Sequence, residues 1–300
     1  MNGSSGDRLR SLSKNNQIMK GTAYLLQATL VSLWWIGLLI NQDFYDAFQF
    51  PGIGKTAFNS FLLPDLVVVA FLSIIRAFFK KKKELDYVIL GGFVFATLYC
   101  INATMLTKGG FLATTVMILG LSYNLFLINE KRLFRKSNTS NTFINGIKTM
   151  LQIICVWTIT LFIFPTLIMD SFGEIPAAFN RDALIGIFLF IVFSTTGIYS
   201  AYTMVINGKG TPLPLDQTQK LVSVGPYKYV RNPMAIAGLG QGISISIIFG
   251  SIYILIYALI GAVLWQFVVR PIEEKDMKKR FGKEYEEYRK EVKCWIPKFR

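Results

Sequence analysis

Most of the residues in this 300-residue chain that could do chemistry lie beyond residue 206. The segment 225–233 reads Gly-Pro-Tyr-Lys-Tyr-Val-Arg-Asn-Pro, and Arg270 and the pair Glu273-Glu274 follow it further along the chain. Carboxylates bind cationic groups and arginines bind anionic ones, so this set could hold a charged small molecule. The two glutamates could equally form the solvated first turn of a helix, where carboxylates interact favourably with the helix dipole.

Chemistry that depends on imidazole or on clustered thiols is excluded by the composition. The chain contains no histidine, which rules out a Ser-His-Asp triad, zincin-type motifs and haem ligation through histidine. Its three cysteines, Cys100, Cys155 and Cys294, are too few and too scattered for a metal cluster or a disulfide framework. We therefore expect no metal site.

The elements that must position these residues are membrane-spanning helices. Hydrophobic residues make up 52% of the chain and charged residues only 17%, against about 25% in soluble proteins. A membrane-spanning helix needs about 20 mostly apolar residues. Apolar runs near that length lie at 21–40, 61–79, 87–106, 110–128, 149–169, 183–206, 234–249 and 252–269. The sequence thus predicts an all-α polytopic protein with eight spans, the last two forming a hairpin that turns at Gly250-Ser251.

The distribution of basic residues predicts how these spans are oriented. The net charge is +14, and all but three of the 32 Lys and Arg residues fall in the termini or in alternate connecting segments. The three exceptions are Lys55, Lys108 and Arg181. By the positive-inside rule, both termini are expected in the cytosol. Because the basic residues flank spans and do not interleave with exposed aromatic residues, we expect contact with anionic membrane lipids and no nucleic-acid partner.

Two further elements are predicted near the candidate residues. The segment 207–233 is rich in Pro and Gly, which predicts a structured loop and not a helix. After the hairpin, apolar residues recur at helical spacing and predict an amphipathic helix on the cytosolic membrane surface. These residues are Met277, Phe281, Tyr285, Tyr288 and Val292.

A short glycine motif begins the hairpin. Gly238 and Gly242 are four residues apart, with Gly240 between them. Such a spacing is typical of close helix packing in membranes. Alternatively, the bare backbone leaves room for a ligand beside the helix.

Taken in order, these motifs resemble the C-terminal core of the isoprenylcysteine carboxyl methyltransferases and the related phospholipid methyltransferases. The order is a Gly-Pro-Tyr loop, Arg-x-Pro, an apolar hairpin, Glu-Glu, then Phe-Gly-x-x-Tyr-x-x-Tyr-x-x-x-Val and a terminal Ile-Pro, over roughly residues 217–297. The resemblance implies an integral membrane enzyme that uses S-adenosylmethionine without a Rossmann domain. It also implies a division into an N-terminal transmembrane bundle at 1–206 and a methyltransferase core at 207–300. In that core, the cytosolic loop and the C-terminal helix close a cofactor pocket, which a lipid-like acceptor enters from the bilayer.

The resemblance also implies roles for individual residues. The cofactor-binding residues would be Gln219, Lys220, Leu221, Val222, Tyr227, Asn232, Pro233, Met234, Ala235 and Glu273. The catalytic residues would be Arg231, Arg270 and Glu274, with the arginines near an anionic acceptor.

The chain departs from the family pattern at two places. The family's usual Arg-His-Pro-x-Tyr is Arg-Asn-Pro-Met-Ala at 231–235, so that Asn232 replaces an imidazole and Ala235 an aromatic ring. The carboxyl methyltransferases place a substrate-binding arginine four residues before the first glutamate, a position that is Val269 here, with Arg270 one residue further on. The acceptor therefore stays open between a carboxylate, a phospholipid amine and a thiol.

Two other classes of function are possible from the sequence. An NADPH-dependent sterol-type reductase shares Tyr- and Pro-rich basic features at its C-terminus, but the order Arg-x-Pro, hairpin, Glu-Glu is that of the methyltransferases. A transporter or scaffold fits less well, because transporters usually bury ionisable groups at mid-membrane. In this chain, Asp65 and Arg76 lie toward the ends of their span.

Overall fold

The structure is a computed structural model that describes residues 3–79, 82–133, 137–175, 181–212 and 216–297. These residues form helices and connecting segments without a β-strand, which confirms the all-α prediction. The α-helices are α1 (Gly3–Ile40), α2 (Gln42–Phe48), α3 (Lys55–Asn59), α4 (Leu62–Pro64), α5 (Leu72–Phe78), α6 (Glu84–Thr107), α7 (Phe111–Leu133), α8 (Thr142–Trp157), α9 (Phe164–Ser171), α10 (Arg181–Gly208), α11 (Pro233–Phe249), α12 (Ile252–Leu264), α13 (Arg270–Phe281) and α14 (Lys283–Glu291). Three π-helical segments each connect two of these helices without a break. They are Asp65–Phe71, Thr158–Ile163 and Trp265–Val269. A 3₁₀ turn covers Gly225–Lys228.

Within the described residues, seven helical segments are long and apolar enough to cross a membrane. They are Lys20–Ile40, Lys55–Phe78, Glu84–Thr107, Phe111–Asn129, Thr142–Ser171, Arg181–Gly208 and Ile252–Phe281. The eighth predicted span is α11, which has only 17 residues. At a rise of 1.5 Å per residue it reaches about 25 Å, which is shorter than the ~30 Å hydrocarbon core. The chain is therefore a multi-pass integral membrane protein, and its described part includes seven helices of full spanning length and one shorter apolar helix.

The turn between α11 and α12 lies where the sequence predicted it. Gly250 ends α11 with a φ of 67°, a left-handed conformation that glycine adopts without a steric penalty. Ser251 caps the next helix, since its hydroxyl accepts a hydrogen bond from the Ile254 amide at 3.2 Å. The hydroxyl of Ser251 also donates to the carboxylate of Glu174.

The chain divides into two compact units. Unit 1 comprises residues 1–130 and 171–173, and unit 2 comprises residues 131–170 and 174–300. The basic residues Lys80, Lys81, Arg135 and Lys136, on which the predicted orientation partly rests, lie outside the described residues. The functional boundary predicted at residue 206 stays a prediction.

Unit 1 contains a buried polar cluster between α1, α5 and α6. The Asp86 carboxylate accepts hydrogen bonds from Tyr24 Oη at 2.8 Å and from Arg76 Nε at 2.5 Å. All three residues are buried. Arg76 is thus neutralised by a carboxylate from a neighbouring helix, as a charge beside the membrane interior requires.

In unit 2, α10 packs along α11 at close range. A Cβ atom on Gly240 would lie 2.4 Å from the ring of Phe193, and one on Gly186 would lie 2.7 Å from Ile248. The Gln241 amide donates to Ser194 Oγ at 2.9 Å across the same contact. The glycines therefore allow the two backbones to approach each other, as the packing interpretation of the glycine motif predicted for Gly240.

The C-terminal segment differs from the single amphipathic helix that the sequence predicted. The helix breaks at Gly282, whose φ of 56° lies outside the range that L-residues favour, and α14 begins at the next residue. Tyr285 and Val292 are buried, whereas most of the charged residues of α14 are exposed. The apolar stripe is therefore divided between two helices, and the break redirects its second half.

Candidate functional site

The predicted cofactor loop is attached to the C-terminal end of α10. The backbone amides of Gln219 and Lys220 both donate to the carbonyl oxygen of Gly208, at 2.7 and 3.1 Å. A Cβ atom on Gly208 would lie 2.6 Å from Thr218, so the loop can fold onto the helix end only because this residue is glycine. The Gln219 side chain also donates to the Ser137 carbonyl oxygen at 3.1 Å. Backbone contacts thus hold the loop on its helix.

Exposure differs among the four predicted loop residues. Val222 is buried, Gln219 and Leu221 are half-buried, and Lys220 is exposed. The loop therefore buries the apolar side chain of Val222 and exposes the cationic side chain of Lys220. Among these four residues, only Val222 is fully buried.

Tyr227 lies in the 3₁₀ turn and is only 3% exposed. Its backbone carbonyl accepts a hydrogen bond from Tyr288 Oη at 2.6 Å, which links the turn to α14. Its own hydroxyl is buried and has no hydrogen-bond partner among the described residues. Burial raises the pKa of Tyr227 well above its ordinary value of 10.0, so the side chain is a neutral phenol. Its hydroxyl keeps the capacity to donate one hydrogen bond and to accept others.

Asn232 joins the start of α11 to the start of α13. Its Oδ1 atom accepts a hydrogen bond from the Ala235 amide at 3.1 Å and thereby caps α11, while Pro233 occupies the first helical position. Its Nδ2 atom donates to Glu273 Oε2 at 3.2 Å. An imidazole with one N–H and one bare nitrogen could do both, so Asn232 preserves the hydrogen-bonding function of the histidine it replaces.

The other two predicted residues of α11 contribute differently. Ala235 provides its backbone amide to the cap and has no ring to stack on a ligand. Met234 is half-buried beside it. The structure thus brings Asn232, Pro233, Met234, Ala235 and Glu273 together around one helix start.

Glu274 binds three arginines. Its Oε1 atom lies 2.9 Å from Arg231 Nη2 and 2.9 Å from Arg270 Nε, and its Oε2 atom lies 3.5 Å from Arg289 Nη2. The three predicted catalytic residues, Arg231, Arg270 and Glu274, are therefore in direct contact. The fourth member, Arg289, belongs to the charged face of α14, and nothing in its sequence environment singled it out.

The C-terminal tail closes this cluster. The Arg231 backbone amide donates to the Lys293 carbonyl oxygen at 3.0 Å, and the Arg231 side chain is only 9% exposed. Gln266 Oε1 accepts hydrogen bonds from Arg270 Nη1 at 2.9 Å and from Trp295 Nε1 at 2.7 Å. The ring of Trp295 packs edge-on against Trp265 at 5.0 Å. The sequence did not single out Gln266 or Trp295 as site residues, because neither belongs to a recognisable motif.

The two adjacent glutamates consequently have different surroundings. Successive residues of a helix point about 100° apart. Glu274 faces the arginines, whereas Asn232 is the one described residue whose side chain hydrogen-bonds the Glu273 carboxylate. Arg270 stands four residues before Glu274, one helical turn away, which is why it pairs with the second glutamate and not with the first.

The glycines of the α11 motif have different surroundings. A Cβ atom on Gly242 would lie 2.8 Å from Ala258, so this glycine, like Gly240, is needed for packing. A Cβ atom on Gly238 would meet nothing within 4 Å. Space beside the helix is therefore open at Gly238, on the first two turns that follow Asn232.

Comparison with known proteins identifies this part of the chain. Residues 182–284 match a family model described as phospholipid methyltransferase. The match begins in α10, includes the loop, the hairpin and α13, and ends in the first turn of α14. No curated protein and no solved structure matches the chain. The match confirms the resemblance, starts earlier than residue 217 and does not reach the terminal Ile296-Pro297.

Proposed function

We propose that this chain is a membrane methyltransferase that takes its methyl group from S-adenosylmethionine and transfers it to a lipid. Residues 182–284, which match the phospholipid methyltransferase family model, would form its methyltransferase domain. One observation carries the proposal: Asn232 connects the Glu273 carboxylate to the N-terminus of α11 inside the matched segment. The Glu273 carboxylate, the open backbone at Gly238 and the Tyr227 turn all belong to the same unit.

The residues present are chemically suited to this cofactor. It carries a sulfonium and an ammonium cation and two ribose hydroxyls, and a carboxylate binds either kind of group. Glu273 has no cationic partner among the described residues, and the buried Tyr227 hydroxyl has no partner there at all. A buried polar atom without a partner is costly unless a ligand or water satisfies it. Both groups therefore support a site for a polar, cationic ligand.

When bound, S-adenosylmethionine supplies a methyl group that its sulfonium has already made electrophilic. The protein's contribution is to bind, orient and exclude water. In our proposal, Glu273 binds the hydroxyls or the amino group, Tyr227 hydrogen-bonds the cofactor, and residues 219–222 cover it. Pro233, Met234 and Ala235 would contact it at the start of α11.

Arg231, Arg270 and Glu274 act in this proposal as positioning residues. The Glu274 carboxylate forms an ion pair with each of the two arginines and connects the Asn232 segment, α13 and α14. Because both arginines are already paired, neither is an uncommitted partner for an anionic acceptor. We therefore propose a phospholipid amine as the methyl acceptor, in preference to a carboxylate or a thiol.

The proposed orientation places both termini in the cytosol. S-adenosylmethionine is a cytosolic metabolite, and the loop and α14 belong to the side that carries most of the Lys and Arg residues. Cysteine labelling from either side of sealed vesicles, with a cysteine introduced at the exposed Lys220, tests this orientation.

The cofactor proposal is tested by calorimetric titration of the purified full-length protein in dodecyl maltoside. We expect S-adenosylmethionine to bind and NADPH not to bind. Glu273→Gln is expected to weaken binding about tenfold, because a charge-assisted hydrogen bond is lost. Glu287→Gln, which changes an exposed carboxylate on α14, is the matched control and should leave affinity unchanged. Binding of NADPH alone, or wild-type affinity in Glu273→Gln, contradicts the proposal.

The acceptor is tested separately with methyl-labelled S-adenosylmethionine. We expect label to enter phosphatidylethanolamine, a phospholipid with a primary amine head. Label in a farnesylcysteine carboxylate, with none in the phospholipid, would overturn the amine proposal while leaving the cofactor proposal intact.

A further inference from the structure

A second candidate site lies in unit 1, outside the family domain. A cleft with about 470 Å³ of empty space, counted to its open mouth, lies between α1, α6, α7 and the segment that leads into α5. A smaller cleft of about 260 Å³ adjoins it and shares Trp34 and Asp65 in its lining. The cleft is almost entirely apolar and aromatic, with Asp65 as its one acidic lining residue among the described residues.

Asp65 lacks a cationic partner in the described part of the chain. Its Oδ2 atom accepts a hydrogen bond from Trp35 Nε1 at 3.0 Å, and no lysine or arginine described here lies within ion-pair distance of it. An ionised carboxylate surrounded by apolar side chains is unfavourable unless a cation compensates it. Ionisable residues inside membrane-spanning segments are typically functional.

The backbone at Asp65 is also unusual. Asp65 begins the π-helical segment Asp65–Phe71, directly after Pro64. π-Helical turns occur frequently at functional sites, where they redirect a side chain. Here the segment follows a proline, which cannot donate a helical hydrogen bond, so the local sequence explains why the regular helix is interrupted at this point.

Several aromatic residues line the cleft together with Asp65. Trp34 and Trp35 contact each other edge-on at 5.2 Å between centroids, and Phe61 packs against Tyr99 at 4.4 Å. Trp34 Nε1 is buried and has no hydrogen-bond acceptor among the described residues. Aromatic faces attract cations through the ring quadrupole, and a carboxylate beside them adds a full negative charge.

We propose that this cleft binds an amphiphile with a cationic amine head. The ammonium pairs with Asp65 beside the rings of Trp34 and Tyr99, and the apolar part of the ligand lies against the apolar lining of the cleft. The unpaired N–H of Trp34 donates to an oxygen atom of the same ligand. This site is separate in the sequence from the domain at 182–284 and does not depend on its proposed chemistry.

The test uses the purified full-length protein in dodecyl maltoside, a detergent without an amine. Octyltrimethylammonium is titrated as the probe, and octanol serves as the uncharged probe of equal chain length. We expect the cation to bind the wild-type protein at least about tenfold more tightly than octanol. Asp65→Asn, which keeps an acceptor for Trp35, is expected to abolish that preference. Asp46→Asn, a change at an exposed carboxylate of the same unit, should preserve it.

A second variant covers the case in which Asp65→Asn does not fold. Trp34→Leu removes one aromatic face and leaves the bond between Trp35 and Asp65 in place. It should weaken binding of the cation and leave that of octanol nearly unchanged. Equal binding of both probes to the wild-type protein, or unchanged preference for the cation in either variant, overturns the proposal.

Discussion

Each unit contains one carboxylate that is paired with arginine and one that accepts a hydrogen bond only from a neutral group. In unit 1, Asp86 is paired with Arg76, whereas Asp65 accepts only the neutral N–H of Trp35. In unit 2, Glu274 is paired with three arginines, whereas Glu273 accepts only the neutral amide of Asn232. A carboxylate already neutralised by the protein has little to offer a ligand. A carboxylate with only a neutral partner has no cation of the protein to compensate its charge, and Asp65, one of the two such residues, lines a cleft.

The largest effect is expected at Glu274. Glu274→Gln leaves Arg231 and Arg270 without their counter-charge, and the Arg231 side chain is only 9% exposed. Breaking a buried ion pair from one side costs about 3 kcal/mol or more. We expect a matching fall in the free energy of unfolding, measured by thermal unfolding in detergent. If Glu274→Gln proves as stable as Glu287→Gln, the ion pairs of Glu274 do not stabilise the fold.

A smaller loss is expected at Asn232. Asn232→Ala removes the cap of α11 and the partner of Glu273, for a cost of about 1 to 2 kcal/mol. Asn232→Ser restores a cap but does not replace the amide that donates to Glu273. Stability should therefore recover in the serine variant, while affinity for S-adenosylmethionine stays low. Equal affinity in the wild-type and serine proteins would show that this contact only caps the helix.

Asp65→Asn is expected to change stability little. The asparagine side chain still accepts the Trp35 hydrogen bond and removes a carboxylate that has no cationic partner among the described residues. We expect the free energy of unfolding to stay within about 1 kcal/mol of the wild-type value or to rise. A loss of stability as large as that of Glu274→Gln would show that the Asp65 charge stabilises the fold as an ion-paired carboxylate does, and it would contradict the contrast between the two kinds of carboxylate.

The smallest effect at neutral pH is expected at Tyr227. Tyr227→Phe removes a buried hydroxyl without a described partner, so stability at pH 7 should change by less than about 1 kcal/mol. Because burial raises the pKa of Tyr227 above its ordinary 10.0, the native state holds this proton more tightly than the unfolded state does. Its contribution is complete below pH 10 and is lost as the pH rises above it. The phenylalanine variant should therefore lose less stability than the wild-type protein between pH 9 and 11, as circular dichroism can measure.

Much of the fold was predictable because it depends on local composition. Runs of about 20 apolar residues must be helices in a bilayer, since helices satisfy their own backbone hydrogen bonds. The turn at Gly250-Ser251 was predictable for the same reason: a left-handed glycine and a serine cap are local signals. The break at Gly282 was not predicted, because apolar periodicity continues across it while the backbone turns.

The sequence by itself determined the membrane-spanning class of the protein, and the order of its C-terminal motifs indicated the family whose model residues 182–284 match. It also indicated which residues of that segment could bind a ligand. Only the tertiary structure decided which carboxylates are paired with arginine and which have only a neutral partner. Glu273 and Glu274 are identical neighbours in the sequence, but a 100° step around the helix directs one to an asparagine and the other to three arginines. Asp65 likewise acquires its surroundings from α1, α6 and α7. A charge depends on its neighbours in space, and these come from distant parts of the chain.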